Sequence, residues 1–169
     1  MNSNIKIFLL CPVPDDQKPI NEYINLKQND FFNWIAFSER KYNQKLFAFF
    51  INGFLILLPF DYLIFNPKIQ FFSFFFCHLL ITFFSFIFFL ASIRQRWIEM
   101  NIRFLESRLF YEEGSWYDGQ IWEKPLELIK NDKLLSIQKI EPLINRITKT
   151  IFLIFSFTIF IISLSRIFF

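Results

Sequence analysis

Ile69-Gln70-Phe71-Phe72-Ser73-Phe74-Phe75-Phe76-Cys77-His78-Leu79-Leu80-Ile81-Thr82-Phe83-Phe84-Ser85-Phe86-Ile87-Phe88-Phe89-Leu90-Ala91-Ser92-Ile93 is a run of 25 residues without a formal charge. An α-helix needs about 20 residues to cross a hydrocarbon core of ~30 Å, so this run predicts a transmembrane helix. Upstream, Leu46–Phe65 has the length of another span, with Pro59 and Asp61 near its far end. Pro59 is expected to bend the last turn, and Asp61, beside Asn66 and Lys68, to lie at the interface. Asn66-Pro67-Lys68 leaves room only for a tight link, so the two spans should form an antiparallel helical hairpin. Downstream, Ile151–Phe169 predicts a third, C-terminal span, with Arg166 able to snorkel towards the far interface.

Between the second and third spans, Arg94–Thr150 holds ten Lys/Arg and nine Asp/Glu. Two helices are expected in this loop. Arg94–Tyr111 should extend the second span, with Glu99, Arg103 and Glu106 spaced for ion pairs along its surface. Pro125–Thr150 has Leu126, Ile129, Ile137, Ile140, Ile144 and Ile147 mostly at helical spacing, with Pro142 expected to kink or break it. The reading is an all-α membrane protein in four segments: a polar arm (1–45), a transmembrane hairpin (46–93), a charged helical loop (94–150) and a C-terminal span (151–169).

Basic residues set the expected orientation. Arg40, Lys41, Lys45, Arg94, Arg96, Arg146 and Lys149 flank the spans on one side, against Lys68 and Arg166 on the other. The arm and the loop are therefore expected on the cytoplasmic side, or the stromal side of a plastid.

Composition narrows the classes further. The chain has 28 Phe but only three Gly, with 54% apolar residues. Abundant Phe, Ile, Asn and Lys are what AT-rich codons supply, so many Phe are expected to be lipid-facing filler. A net charge of +3, without a basic stripe interleaved with aromatics, gives no case for nucleic acid. Cys11 and Cys77 suggest neither a disulfide framework nor a zinc site. Met1–Leu10 is too short in its apolar run for a signal peptide and lacks the bias of a transit peptide, so synthesis inside the compartment of residence is expected.

Candidate chemistry is sparse. Phe110–Pro125 joins the two loop helices and carries Tyr111, Trp116, Tyr117, Asp118 and Trp122, which suit either a docking surface or a compact turn packed on the helix ends. Gly114 and Asp118-Gly119 permit tight turns. Glu112 and Glu113, with Asp118 and Glu123, are the candidate metal ligands, although the Glu-x-x-His pairs of di-iron bundles are missing. Asp30-Phe31-Phe32-Asn33-Trp34-Ile35 has aromatics suited to a membrane interface. His78, the single histidine, is either a ligand for haem iron or chlorophyll magnesium, or a neutral ring bonded to a carbonyl or to Thr82. The serines have no histidine for a nucleophilic pair, and there is no Gly-rich nucleotide loop.

Two polar stretches resemble a known family. One is Cys11-Pro12-Val13-Pro14, then Gln17, Pro19-Ile20-Asn21-Glu22-Tyr23, Leu26, Phe31-Phe32 and Trp34. The other is Tyr111-Glu112-Glu113, then Trp116-Tyr117-Asp118-Gly119-Gln120, Trp122, Lys124-Pro125, Asp132, Leu134, Pro142 and Arg146. Both are similar to the hypothetical chloroplast reading frame 36 family, conserved in the green lineage and diatoms. Gly114-Ser115 departs from that family's usual Ser-then-Gly order before the tryptophan. The resemblance implies a plastid-encoded protein of a plastid membrane, the thylakoid first among them, with a domain of unknown function. It brings no catalytic residue. The expected role is a non-enzymatic accessory factor whose partners are membrane lipid and photosynthetic membrane complexes. The alternatives are pigment or haem binding through His78, or a carboxylate metal protein or enzyme.

Overall fold

The structure is a computed structural model, and it describes residues 11–64, 71–112 and 119–168, with positions 167 and 168 described by backbone alone. Its elements are α1 (Pro19–Gln28), the single turn α2 (Asp30–Asn33), α3 (Glu39–Ile64), α4 (Phe71–Leu105), β1 (Arg108–Glu112), β2 (Gly119–Glu123), α5 (Leu126–Leu135) and α6 (Glu141–Phe168). Three stretches of helix are long and apolar enough to cross a membrane: Glu39–Ile64, Phe71–Leu105 and Leu126–Arg166. The chain divides into two compact units.

One unit takes Trp34–Gln95 and Asn145–Phe169. Here α3 and α4 pack antiparallel, as the short link requires. Phe49 meets Phe89 at 5.3 Å between ring centroids, Phe50 meets Phe83 at 5.1 Å, and Phe54 meets His78 at 4.2 Å. Leu90 and Ile93 on α4 are buried, whereas Phe47, Phe60, Phe84, Phe88, Phe152 and Phe160 remain exposed. Both uses of phenylalanine therefore occur, as interhelical packing and as outward apolar surface.

Arg146 at the start of this unit's α6 portion anchors the entry to α3. It donates to the carbonyls of Ile35 (3.1 Å) and Phe37 (2.6 Å), and its guanidinium lies 4.3 Å from the Tyr42 ring centre. Trp34 stacks on the other ring partner, Tyr42, and is 1% exposed. Of the aromatic segment Asp30–Ile35, Trp34 and Ile35 are core residues. Phe31 does remain exposed.

Neither helix ends at its proline. α3 starts at Glu39, ahead of the apolar run, and continues through Pro59 to Ile64. Pro142 does not break its helix either, which continues through it to Phe168. A π-turn at Ser136–Ile140 precedes it, with the Glu141 N–H reaching back to the Ser136 carbonyl. That five-residue bond joins α5 to α6 without a gap. The expected link at 66–68 lies outside the described residues.

The other unit contains residues 11–33 and 96–144. Its centre corrects the all-α reading. β1 and β2 form a two-stranded antiparallel hairpin with Leu109 opposite Trp122, Phe110 opposite Ile121 and Tyr111 opposite Gln120. Alternation along Arg108-Leu109-Phe110-Tyr111-Glu112 sends Leu109 and Tyr111 inward, where they pack with Val13, Cys11 and Trp122. The helix expected to reach Tyr111 stops at Leu105 because this period-two pattern takes over.

Candidate functional site

Among the described residues, each unit buries one pair of an acidic and a basic side chain. In the apolar unit, Asp61 on α3 and His78 on α4 are 3% and 2% exposed. His78 Nδ1 lies 2.5 Å from Asp61 Oδ2. The carboxylate is thus not interfacial, which corrects the expectation for Asp61. It faces the neighbouring helix, which also supplies His78 with the carboxylate partner that the sequence alone did not reveal.

Phe54 closes over the imidazole edge-on, and Phe74 lies parallel to it at 6.1 Å. Thr82 is spent on the local helix, donating to the His78 carbonyl at 2.8 Å, so it does not hold the ring itself. His78 Nε2 is buried without a hydrogen-bond partner among the described residues. A carboxylate on one imidazole nitrogen orients the other, as behind many metal-bound histidines. His78 Nε2 is itself enclosed, with Phe54 and Phe74 lying against the ring. The pair therefore works first as a polar clasp between α3 and α4. The sequence did carry a signal for it: Asp61 and His78 lie on either side of the tight link, at positions an antiparallel hairpin brings close.

In the polar unit the central group is Lys124, whose side chain has no exposed surface. It follows β2 and turns inward to donate to the carbonyls of Arg103 (3.0 Å) and Phe104 (3.3 Å) and to Asp132 Oδ2 (2.8 Å). The ammonium thereby caps the C-terminus of α4, where unpaired carbonyls and the helix dipole favour a cation. Burial pushes the Asp132 carboxyl above its ordinary value, while the hydrogen bond and charge of Lys124 pull it back.

Around this clasp the two polar stretches meet. The Gln17 amide donates to the Glu112 carbonyl and accepts from the Glu112 N–H, both at 3.0 Å, as a neighbouring strand would. Arg103 pairs with Glu22 and also donates to the Gln17 carbonyl. Tyr23 meets Trp97 and Phe104 edge-on.

The structure sorts the other candidate residues as follows. Tyr111 is 5% exposed, with its hydroxyl donating to Gln120 at 2.6 Å, and Trp122 is half-buried beneath the hairpin. Both rings are used inside the unit. Trp116, Tyr117, Asp118 and Glu113 lie outside the described residues. Glu112 is exposed, and among the described residues no three His, Cys, Asp or Glu side chains group closely enough to hold a metal ion. The hairpin's outer face instead exposes a residue pair that the sequence reading passed over. Phe110 (68%) lies opposite Ile121 (56%), beside the cross-strand ion pair Arg108–Glu123.

These features define a class: a helical protein with three candidate membrane spans and a compact polar unit built around a β-hairpin. A family model described as CGLD27-like, conserved in the green lineage and diatoms 27, matches residues 11–153, and the chain belongs to that family. An uncharacterised protein ycf36 of Pyropia yezoensis is 35% identical over 141 residues, covering 83% of this chain and 86% of the relative. That of Cyanophora paradoxa is 34% identical over 158 residues, covering 89% and 97%. A protein of Arabidopsis thaliana named conserved in the green lineage and diatoms 27, chloroplastic, is 31% identical over 140 residues, which is 82% of this chain and 43% of the relative. No solved structure matches the chain. The family is a plastid-lineage one of uncharacterised function.

Proposed function

We propose that this chain is a non-enzymatic accessory protein of the photosynthetic membrane of a plastid, helping to assemble, maintain or acclimate a larger complex. The observation that supports it is the outer face of the hairpin. Phe110 and Ile121 are held side by side on a strand pair whose inner face is locked into the unit, and they stay exposed. A large aromatic on a rigid support is a good interface anchor, because little side-chain freedom is lost when a partner covers it. Trp116 and Tyr117 follow in the connection between the strands and belong to the same docking reading.

Three spans with the polar unit on the stromal side of the thylakoid is the placement in this reading, by the basic residues flanking the apolar runs. The plastid setting is supported by the relatives' names.

The test is purification of the C-terminally tagged chain from its native membrane in mild detergent, with co-purifying proteins identified by mass spectrometry. Near-stoichiometric subunits of one photosynthetic or biogenesis complex are expected. They should be lost in Phe110→Ser and in Trp116→Ala, with the chain still accumulating. Recovery of the chain alone, or full retention of the complex by both variants, would overturn the reading.

A further inference from the structure

The hairpin has an edge as well as a face. The Lys124 N–H bonds the Ser107 carbonyl at 2.9 Å, which fixes the hydrogen-bonding phase of the ladder. In an antiparallel pair, bonded and non-bonded residue pairs alternate. Leu109–Trp122 and Tyr111–Gln120 are then the bonded pairs, and the peptide groups of Arg108, Phe110 and Glu112 on β1, and of Gly119, Ile121 and Glu123 on β2, point away from the partner strand. The chain fills part of the β1 edge itself, since the Gln17 amide takes both peptide groups of Glu112. On β2, no described residue pairs with the outward peptide groups of Ile121 and Glu123, and the strand is exposed except at Trp122.

We infer that the β2 edge is the contact between two copies of this chain, which pair β2 to β2 antiparallel about a two-fold axis at Ile121 and so make a four-stranded sheet. The register argues for a second copy. A two-fold at Ile121 sets Ile121 against its own counterpart and Gly119 against the partner's Glu123, so no like charges oppose one another. Both Ile121 peptide groups then bond across the axis. The outer face becomes a continuous apolar strip of Phe110, Ile121 and their two symmetry mates. One strand pair covers too little area to hold a soluble dimer, but two copies confined to one bilayer meet at a raised effective concentration. The inference rests on the membrane placement and is independent of the accessory role.

Cysteine cross-linking in native membranes tests it, in a chain carrying Cys11→Ser and Cys77→Ser. The paired register places the two Ile121 Cα atoms about 5.5 Å apart, within disulfide range. Ile121→Cys is expected to give a disulfide-linked homodimer several-fold above Phe110→Cys. A chain with Gly119→Cys co-expressed with one carrying Glu123→Cys should cross-link likewise. Position 119 accepts a side chain, since a Cβ there meets nothing within 4 Å. Adding Ile121→Pro to both chains should abolish the 119–123 cross-link. The proline deletes only an outward N–H, leaving the internal ladder intact. Equal cross-linking of Ile121→Cys and Phe110→Cys would overturn the inference, as would capture of a different protein by Ile121→Cys, or a 119–123 cross-link that survives the proline.

Discussion

Lys124 shows how much can depend on one side chain in a small polar unit. Breaking a buried ion pair strands the other charge and costs about 3–5 kcal/mol, whereas replacing both partners by apolar groups is often neutral. Lys124→Met should therefore lower the unfolding midpoint strongly, and Lys124→Met with Asp132→Leu should recover most of it, as read by thermal unfolding in detergent. The pH dependence has a definite sign. Asp132 binds its proton more tightly in the folded chain than the ordinary carboxylate does, because burial outweighs Lys124. Its contribution to stability is full below the unfolded value of about 4 and is lost as pH rises from there through the folded value, above which it stays flat. Without Lys124 both lowering causes vanish, so the Asp132 titration followed by carboxyl carbon NMR should move upward, and the falling window should widen. The sequence placed Lys124 and Asp132 in the polar stretches but gave no sign that they meet, since only the fold of β2 onto the α4 terminus joins them.

Among the elements, the apolar helices were the readable part. Lipid-length hydrophobic runs announce themselves by composition, so the spans were legible before any contact was known. Their ends were less exact: α3 starts at Glu39, ahead of the apolar run, and the helical extension expected for Arg94–Tyr111 stops at Leu105. The hairpin was hidden for a different reason. Its strands are five residues each, β1 falling mostly inside the helix expected over 94–111 and β2 inside the stretch read as a connection between helices. Asp118-Gly119 was the available turn signal. The Asp61–His78 clasp also belongs at this scale, because it sets α3 against α4. Asp61→Leu leaves the buried His78 Nδ1 without its partner and should cost about 2–4 kcal/mol, whereas Asp61→Leu with His78→Phe should restore the packing of α3 on α4. Resistance of the hairpin to unfolding in harsh detergent would report either result. Gln17→Ala should act more locally, speeding hydrogen exchange at the Glu112 N–H while the bonded pair at Tyr111 stays protected.

For the whole molecule, Arg146 marks a boundary between what sequence and structure each reveal. As a residue beside the third span it looks like an orientation charge. In the fold it clamps the Ile35 and Phe37 carbonyls and covers Tyr42. Arg146→Leu should thus destabilise the apolar unit by about 2–4 kcal/mol, with Arg146→Lys recovering only part because it cannot reach two carbonyls and stack as a planar group. If the residue served orientation alone, Arg146→Lys would behave as the parent in the same thermal assay.

The Gln17 contact with Glu112 bridges 95 positions of chain. Translation adds about 5–20 residues per second, so the arm emerges from the ribosome roughly 5–20 s before the strand it must meet. During that interval α3 and α4 are synthesised and can enter the bilayer. The polar unit is thus an assembly that closes late in synthesis, only after both intervening helices have been made.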